Sequence, residues 1–143
     1  MNTITTSFLL PTTAKPEHVW QYYVDLSLRK LWETDLEDFK LFGEMKTGAE
    51  GIFKLQNTPE MPVTLSKVIV NQEFTEQFMM PEMGVFYFSH QIVPIATNQY
   101  ALKSEISLKP NQNVADSASY HFIKQLSDDI IDKTYALKNL VER

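Results

Sequence analysis

The sequence predicts an α+β fold in which a curved, seven-stranded antiparallel sheet wraps around a long C-terminal helix. Apolar and polar residues alternate with a period of two in seven segments of the chain. Two short segments with helical spacing separate the first of these from the second, and after residue 113 the period becomes helical again. A long one-sided helix must bury its apolar stripe, and the sheet is the broad surface available for it.

The first predicted strand covers residues 3–10 and places Ile4, Phe8 and Leu10 on one face. Further strands are predicted at residues 35–42, 51–57, 62–70, 72–80, 84–95 and 99–108. The breaks between strands carry residues that favour turns, namely Gly43, Gly48, Pro59, Asn71, Pro81 and Asn98.

Three helices are predicted. Pro16 suits a first helical turn, where its missing N–H costs nothing, and the helix over residues 16–24 buries Val19, Trp20 and Tyr23. A second short helix is predicted over residues 26–31. The third, over residues 114–141, would be about 40 Å long. Its apolar stripe consists of Ala118, Phe122, Leu126, Ile130, Leu137 and Val141.

Amino-acid composition excludes several classes of partner and of functional site. With 143 residues the chain has room for one domain, residues 1–143, and 43% hydrophobic with 22% charged residues is typical of a globular protein. The net charge is −5 and Lys and Arg are scattered, so nucleic acid is not an expected partner. The absence of cysteine excludes disulfides, thiolate nucleophiles and sulfur-ligated metals.

The N-terminus lacks a signal-peptide pattern, and no apolar stretch approaches the roughly 20 residues that span a bilayer. A cytoplasmic protein without a membrane span is therefore expected, as a monomer or a homodimer.

Common catalytic signatures are missing as well. The three histidines form no i, i+4 pair, so no metal site is expected. The spacing of Gly43, Gly48 and Gly51 is superficially like a phosphate loop, but Ala49 and Glu50 stand where Lys and Ser or Thr are required. Neither a nucleophile elbow nor a dinucleotide fingerprint is present, and no cofactor is expected.

Several short segments resemble one superfamily. Val19-Trp20, Asp25 and Trp32 resemble the "VW…D…W" signature of polyketide cyclase/dehydrase-like lipid-transport domains, and Phe88-Ser89-His90 resembles the "F.H" of their sixth strand. The turn at residues 43–51 and the end of the last helix, over residues 127–140, are similar to theirs too.

With the order of its elements, the chain is identified as a member of the START-like (SRPBCC) helix-grip superfamily. It departs from the commonest pattern at Lys109-Pro110, where a Gly-Pro usually follows the seventh strand. The resemblance implies a ligand cavity between the sheet and the C-terminal helix.

His90 is the main polar candidate for that cavity. It shares strand parity with Phe86, Phe88 and Ile92, so it faces the concave side, where it could act as an acid/base or bind a ligand. The alternative is a core histidine that bonds to backbone or to the Tyr100 hydroxyl. Tyr100 is predicted to lie next to His90 on the neighbouring strand, either orienting a ligand or serving a structural role.

Glu76 has the parity of Phe74 and Phe78. Beside an apolar cavity its carboxyl would have a raised pKa and suit a proton shuttle, whereas at the sheet edge it would lie in water. The other predicted ligand-binding side chains are apolar: Phe86, Phe88, Leu102, Phe122 and Leu126.

Trp32 and Asp25 are expected to be structural, packing at the helix–sheet junction and bonding at a helix end. Met79, Met80 and Met83 flank a predicted hairpin turn, where flexible thioethers suit varied ligands, a core edge or an interaction patch.

The favoured function is binding of a small hydrophobic or aromatic ligand, lipid or polyketide-like, because binding needs only an apolar concavity and one or two polar groups. A first alternative is a cyclase or dehydratase that uses His90 or Glu76 as acid/base with support from Tyr100. A second is a protein-interaction module, similar to a chaperone partner, with a filled core and a large exposed apolar patch. No catalytic residue is assigned.

Overall fold

The computed structural model describes residues 3–143 and shows the predicted α+β architecture. The elements in chain order are β1 (Ile4–Thr12), α1 (Pro16–Val24), α2 (Leu26–Arg29), β2 (Leu36–Leu41), β3 (Glu50–Leu55), β4 (Met61–Ile69), β5 (Glu73–Met80), β6 (Gly84–Ala96), β7 (Gln99–Pro110) and α3 (Asp116–Val141). All strand pairs are antiparallel, in the order β1-β7-β6-β5-β4-β3-β2. The predicted fold class is therefore confirmed.

Several bounds differ from the prediction. β1 continues through Pro11 to Thr12, because it is an edge strand with β7 as its neighbour and edge strands tolerate proline. The second helix ends at Arg29 and not at residue 31. α3 begins at Asp116, two residues later than predicted.

The hairpin turns follow from residue chemistry. Asn57, Asn71 and Asn98 adopt positive φ angles of 63°, 64° and 56°, which asparagine tolerates better than most residues. The β5–β6 turn ends at Gly84 with φ at 143°, where a Cβ would lie 2.2 Å from the carbonyl oxygen of Lys109. Only glycine fits this close approach between β6 and β7.

The long helix α3 packs over β1 and β7, and α1 packs against β6 and α3. The buried face of α3 differs from the predicted stripe, because Ala118 is exposed and Phe122 and Leu126 are only half-buried. The fully buried positions are Ser119, Ile123, Ile130, Thr134, Leu137 and Val141. Ser119, Ile123 and Thr134 were absent from the predicted stripe. In the N-terminal half of α3 the buried face lies one residue later than predicted, and the polar Ser119 and Thr134 give no apolar signal.

Two groups of buried side chains fill the interior. The first core cluster includes Trp20, Tyr23, Trp32, Phe74 and Leu102 and lies near α1. The second core cluster is made of Leu36, Phe53, Val63, Phe78, Phe86, Ile106, Leu108, Ile123 and Ile130. The second cluster therefore lies under the N-terminal half of α3.

Asp25 and Trp32 have the predicted structural roles. The Asp25 carboxylate caps α2 by accepting from the backbone N–H of Ser27 at 2.9 Å and of Leu28 at 3.3 Å. Hydrogen bonds, first among them that from the Ser27 hydroxyl, hold the pKa of Asp25 below its ordinary value. Trp32 donates through Nε1 to the Tyr22 carbonyl at 2.9 Å. Among residues 3–143, no helix is long and apolar enough to cross a membrane.

Candidate functional site

A buried ion cluster lies at the centre of the sheet's inner face. Arg29, at the end of α2, is 2% exposed and reaches across to Glu76 on β5. Its Nη1 and Nη2 donate to the two Glu76 carboxylate oxygens at 3.0 and 2.9 Å. Its Nε and Nη2 donate to Glu33 Oε1 at 3.2 and 3.1 Å. The guanidinium thus binds Glu76 in the bidentate geometry and also bonds Glu33.

Local structure explains why the arginine points inward. The Asp25 cap fixes the start of α2. Glu33 follows Arg29 by four residues, so the two side chains lie on the same side of the helical turn. The guanidinium carbon lies 5.1, 5.7 and 5.5 Å from the ring centroids of Phe39, Phe53 and Phe74. These rings offer the buried cation a favourable electrostatic surface.

The charges within the cluster depend on one another. Burial lowers the pKa of a guanidinium, but the charges of Glu33 and Glu76 keep the pKa of Arg29 above its ordinary value. Burial likewise raises the pKa of the Glu76 carboxyl, yet the charge of Arg29 and the adjacent His90 imidazole hold it below its ordinary value. The raised pKa expected for Glu76 was therefore wrong, because its buried partner could not be foreseen.

His90 lies beside this cluster and is 4% exposed. Its Nε2 is 3.4 Å from Glu76 Oε1 and has no hydrogen-bond partner among residues 3–143. The imidazole ring is surrounded by the rings of Tyr23, Trp32 and Phe74, with centroids at 5.5, 5.7 and 5.9 Å. His90 is thus enclosed by aromatic packing on the inner face.

Tyr100 is not next to His90, which corrects the prediction. The register of β6 and β7 pairs His90 with Ser104 and Tyr100 with Pro94. Tyr100 lies instead near the end of the hairpin, where it lines three clefts of about 420, 470 and 380 Å³. Its hydroxyl therefore belongs to a different part of the molecule from the ion cluster.

The apolar candidates divide between the two core clusters. Leu102 is fully buried in the first cluster. The Phe86 ring belongs to the second cluster and contacts the rings of Phe88 and Phe122, with centroids 5.3 and 5.9 Å away. Leu126 packs against the same cluster. Phe86, Phe88, Phe122 and Leu126 are thus brought together, and Leu102 lies apart from them.

Part of the inner face keeps apolar surface in contact with solvent. Ten half-buried apolar side chains pack against the second core cluster. Apart from Ile4 on β1 and Phe39 on β2, these side chains, here called the apolar rim, are Leu26, Leu55, Met61, Met80, Met83, Phe88, Phe122 and Leu126. The strand members have the parity of the inner face. Because α3 packs over β1 and β7, it leaves the inner side of β3 to β6 less covered.

Lys133 links α3 to the segment that follows α2. Its Nζ lies 2.8 Å from Asp35 Oδ1 and 2.8 Å from Asp129 Oδ2. Burial lowers the pKa of Lys133, but the Glu33 charge and the hydrogen bonds of both aspartates raise it above its ordinary value. Charged groups therefore extend from Glu76 on the sheet to the surface of α3.

The remaining clefts lie elsewhere. One of about 320 Å³ lies between β1 and α3, with a void of about 80 Å³ beside it. Neither these two nor the three clefts at Tyr100 are lined by His90 or Glu76. In the part of the chain that the structure describes, no group of three or more His, Cys, Asp or Glu could hold a metal ion.

Comparison with known proteins gives matches among solved structures. No protein-family profile matches the chain, and no curated protein matches its sequence. The Zhui aromatase/cyclase from a Streptomyces species superimposes with a TM-score of 0.76 at 9% identity, covering 99% of this chain and 95% of that one. Norcoclaurine synthase from Thalictrum flavum gives 0.70 at 14% identity, covering 98% and 94%.

A conserved protein of unknown function from Enterococcus faecalis gives a TM-score of 0.64 at 21% identity, covering 98% of this chain and 72% of that one. At sequence identities this low, the superpositions establish the fold alone. The chain has the helix-grip fold that the order of its elements and its sequence motifs implied.

Proposed function

We propose that the chain binds a small apolar or aromatic molecule, lipid or polyketide-like, at the apolar rim, between the inner face of the sheet and the N-terminal half of α3. One observation carries the proposal: the eight apolar side chains of the rim pack against the second core cluster and are only half-buried on the inner side of the sheet. Concave, mostly apolar surfaces with a few placed polar groups are typical of ligand sites.

The composition of the rim suits a ligand of variable shape. Met61, Met80 and Met83 contribute flexible, polarisable side chains, and Phe88 and Phe122 contribute aromatic rings. A bound molecule would bury apolar surface at about 25 cal/mol per Å² before the cost of association. The sheet therefore offers binding energy that the free protein leaves unused.

The charged cluster adjoins this surface. In the β5–β6 register Glu76 lies directly opposite Phe88, and His90 follows Phe88 on the same face. A ligand lying on Phe88 would rest beside the Glu76–Arg29 pair. We infer that Phe88, Phe122 and Leu126 form the contact surface with Phe86 as buried support, and that the buried His90 and Glu76 lie beneath the polar end of the site, whereas Leu102 belongs to the other core cluster. Tyr100 belongs to a separate cleft.

Two structural neighbours agree with an aromatic ligand. Norcoclaurine synthase was solved in complex with dopamine and hydroxybenzaldehyde, and another neighbour is an aromatase/cyclase. In those two proteins the same fold is associated with aromatic compounds, and this supports an aromatic ligand here.

Titration with a homologous series of alkylbenzenes tests the proposal. We expect dissociation constants in the micromolar range that tighten with each added CH₂, by up to about 0.8 kcal/mol. Met80→Ser should weaken binding, and Met79→Ser is the matched control because Met79 lies next to it on the outer face, 71% exposed. The absence of binding across the series, or equal losses in both variants, would contradict the proposal.

An enzyme, a cyclase or dehydratase acting on a polyketide-like substrate, is the second candidate. The specific observation in its favour is the 3.4 Å separation of His90 Nε2 and Glu76 Oε1. The pKa of Glu76 lies below its ordinary value, so this carboxylate is a poor proton donor or acceptor at neutral pH. We therefore expect binding without turnover. Turnover that is lost in both His90→Ala and Glu76→Gln would favour the enzyme.

The third candidate, an interaction module, has less support. Exposed apolar side chains occur on separate elements, such as Phe42 after β2, Met79 on β5 and Tyr135 on α3. Single exposed apolar residues are ordinary on soluble proteins.

A further inference from the structure

A crevice separates β1 from α3, on the side of the helix that faces the sheet edge. Its larger part, about 320 Å³, has a mainly apolar surface that includes Ile4, Tyr120 and Ile123, and Lys124 and Asp128 also line it. Its smaller part, here called the inner void, is a partly open space of about 80 Å³. Thr6 and Ser127 line both parts, so the two spaces are adjacent and share the same walls.

Two pairs of hydroxyl groups lie at the inner void, and Thr6, Ser127 and Ser104 of these pairs line it. Thr6 Oγ1 on β1 lies 2.7 Å from Ser127 Oγ on α3. Ser104 Oγ on β7 lies 2.8 Å from Thr134 Oγ1 on α3. Each pair therefore joins one strand residue to one helix residue across the crevice.

The direction of these hydrogen bonds follows from the helix. Ser127 Oγ donates to the carbonyl of Ile123 at 2.8 Å, and Thr134 Oγ1 donates to the carbonyl of Ile130 at 2.6 Å. A hydroxyl group has one hydrogen, so both helix hydroxyls have no further donor capacity. Within each pair the strand hydroxyl must then be the donor.

Thr6 and Ser104 therefore have no hydrogen left to donate, although their oxygens keep lone pairs that can accept. Both residues line the inner void. A molecule in the crevice therefore contacts mainly apolar walls in the larger part and hydrogen-bond acceptors in the inner void. A ketone or an ether would find no donor there, whereas a hydroxyl group would find an acceptor.

We propose that this crevice is a second binding site, distinct from the apolar rim, for a small apolar molecule that carries one hydroxyl group. The hydroxyl donates to Thr6 or Ser104, and the hydrocarbon part lies against Ile4, Tyr120 and Ile123. The head group is uncharged, because among residues 3–143 no ionisable side chain lines the inner void, Lys124 and Asp128 lie only along the larger part, and a buried charge without a partner is costly. Alcohols and phenols meet these requirements.

Methyl NMR titrations with two probes of matched shape, 4-propylcyclohexanol and 4-propylcyclohexanone, test the proposal. We expect the alcohol to shift the methyl signals of Ile4 and Ile123 and to bind about tenfold more tightly than the ketone. In Thr6→Val this preference should shrink, because one of the two acceptors, Thr6 and Ser104, is removed. Thr5→Val is the matched control, because Thr5 is the neighbouring residue on the outer face of β1 and should leave the preference unchanged.

Ser104→Ala provides a second variant in case Thr6→Val does not fold. Equal affinity for alcohol and ketone, a preference that is undiminished in the folded variants, or an absence of shifts at Ile4 and Ile123 would overturn the second site. Shifts confined to Leu126 and the other methyl groups of the apolar rim would overturn it too, while leaving the proposed function intact.

Discussion

Replacing Arg29 by methionine tests whether the buried cluster depends on its single guanidinium. The change leaves the carboxylates of Glu33 and Glu76, 5% and 1% exposed, without their bidentate partner. Removing one partner of a buried ion pair costs about 3–5 kcal/mol, because the remaining charge is neither solvated nor paired. Against a typical total of about 5–15 kcal/mol, such a loss is easily measured by urea unfolding, followed by fluorescence of Trp20 and Trp32.

A triple variant separates charge from packing. Arg29→Met combined with Glu33→Met and Glu76→Met removes every charge of the trio and keeps similar side-chain volumes. We expect its free energy of unfolding to return to within about 1 kcal/mol of the wild type, because well-packed apolar replacements of buried ion pairs are often neutral. Lys54→Met, which breaks a half-exposed pair with Glu37, is the control and should cost less than about 1 kcal/mol.

The pH dependence of the single variant gives an independent check. In the wild type the folded pKa of Glu76 lies below its ordinary value, so its contribution to stability is present above the unfolded pKa and is lost as the pH falls through the folded pKa. In Arg29→Met the guanidinium is gone and burial favours the protonated Glu76. The deficit of the variant should therefore shrink as the pH falls. A single variant as stable as the wild type, a triple variant as unstable as the single one, or a deficit independent of pH would refute the reasoning.

The remaining predictions concern the backbone, the long helix and His90. Gly84→Ala should lose about 2 kcal/mol or more in urea unfolding, because its Cβ would meet the carbonyl of Lys109 at 2.2 Å, whereas Gly43→Ala, with open space around it, should be close to neutral. Truncation after Asn113 removes α3 and should abolish folding, so a soluble product with a native-like strand signal in circular dichroism would contradict the architecture. His90→Phe should cost about 1–3 kcal/mol in the same assay, because it removes the imidazole that lies 3.4 Å from the buried Glu76 carboxylate and helps to hold its pKa low.

The sheet could be predicted from the sequence because each strand has one buried face. In β6, Phe86, His90 and Ile92 alternate with more polar neighbours and are all buried, as parity requires. The pairing register between two neighbouring strands depends in addition on the position of the hairpin turn. The β6–β7 turn at Asn98 pairs His90 with Ser104 and not with Tyr100.

The ion cluster could not be predicted from periodicity. α2 has four residues, too few to show a helical period, and arginine is rarely buried. Its partner Glu76 lies 47 residues away in sequence, so the pairing exists only in the tertiary structure. The sequence did contain one indication of the cluster. Glu76 has the strand parity of buried residues, and a buried carboxylate needs a cationic partner. Arg29 and Arg143 are the two arginines of the sequence.

The buried face of α3 was misread for a related reason. Thr134 is buried because its hydroxyl bonds to the carbonyl one turn earlier and to Ser104, which removes the cost of burying a polar group. Such bonds are invisible to an apolar period. The hydroxyl pairs of the crevice therefore emerged only from the structure.

Native mass spectrometry of the protein purified from its own host tests the central claim, that the chain binds a small apolar molecule. We expect a complex that is heavier than the polypeptide by the mass of a small molecule. This molecule should be released on denaturation and extract into organic solvent. The bare polypeptide mass, together with no binding of any alkylbenzene in the titrations, would contradict the claim.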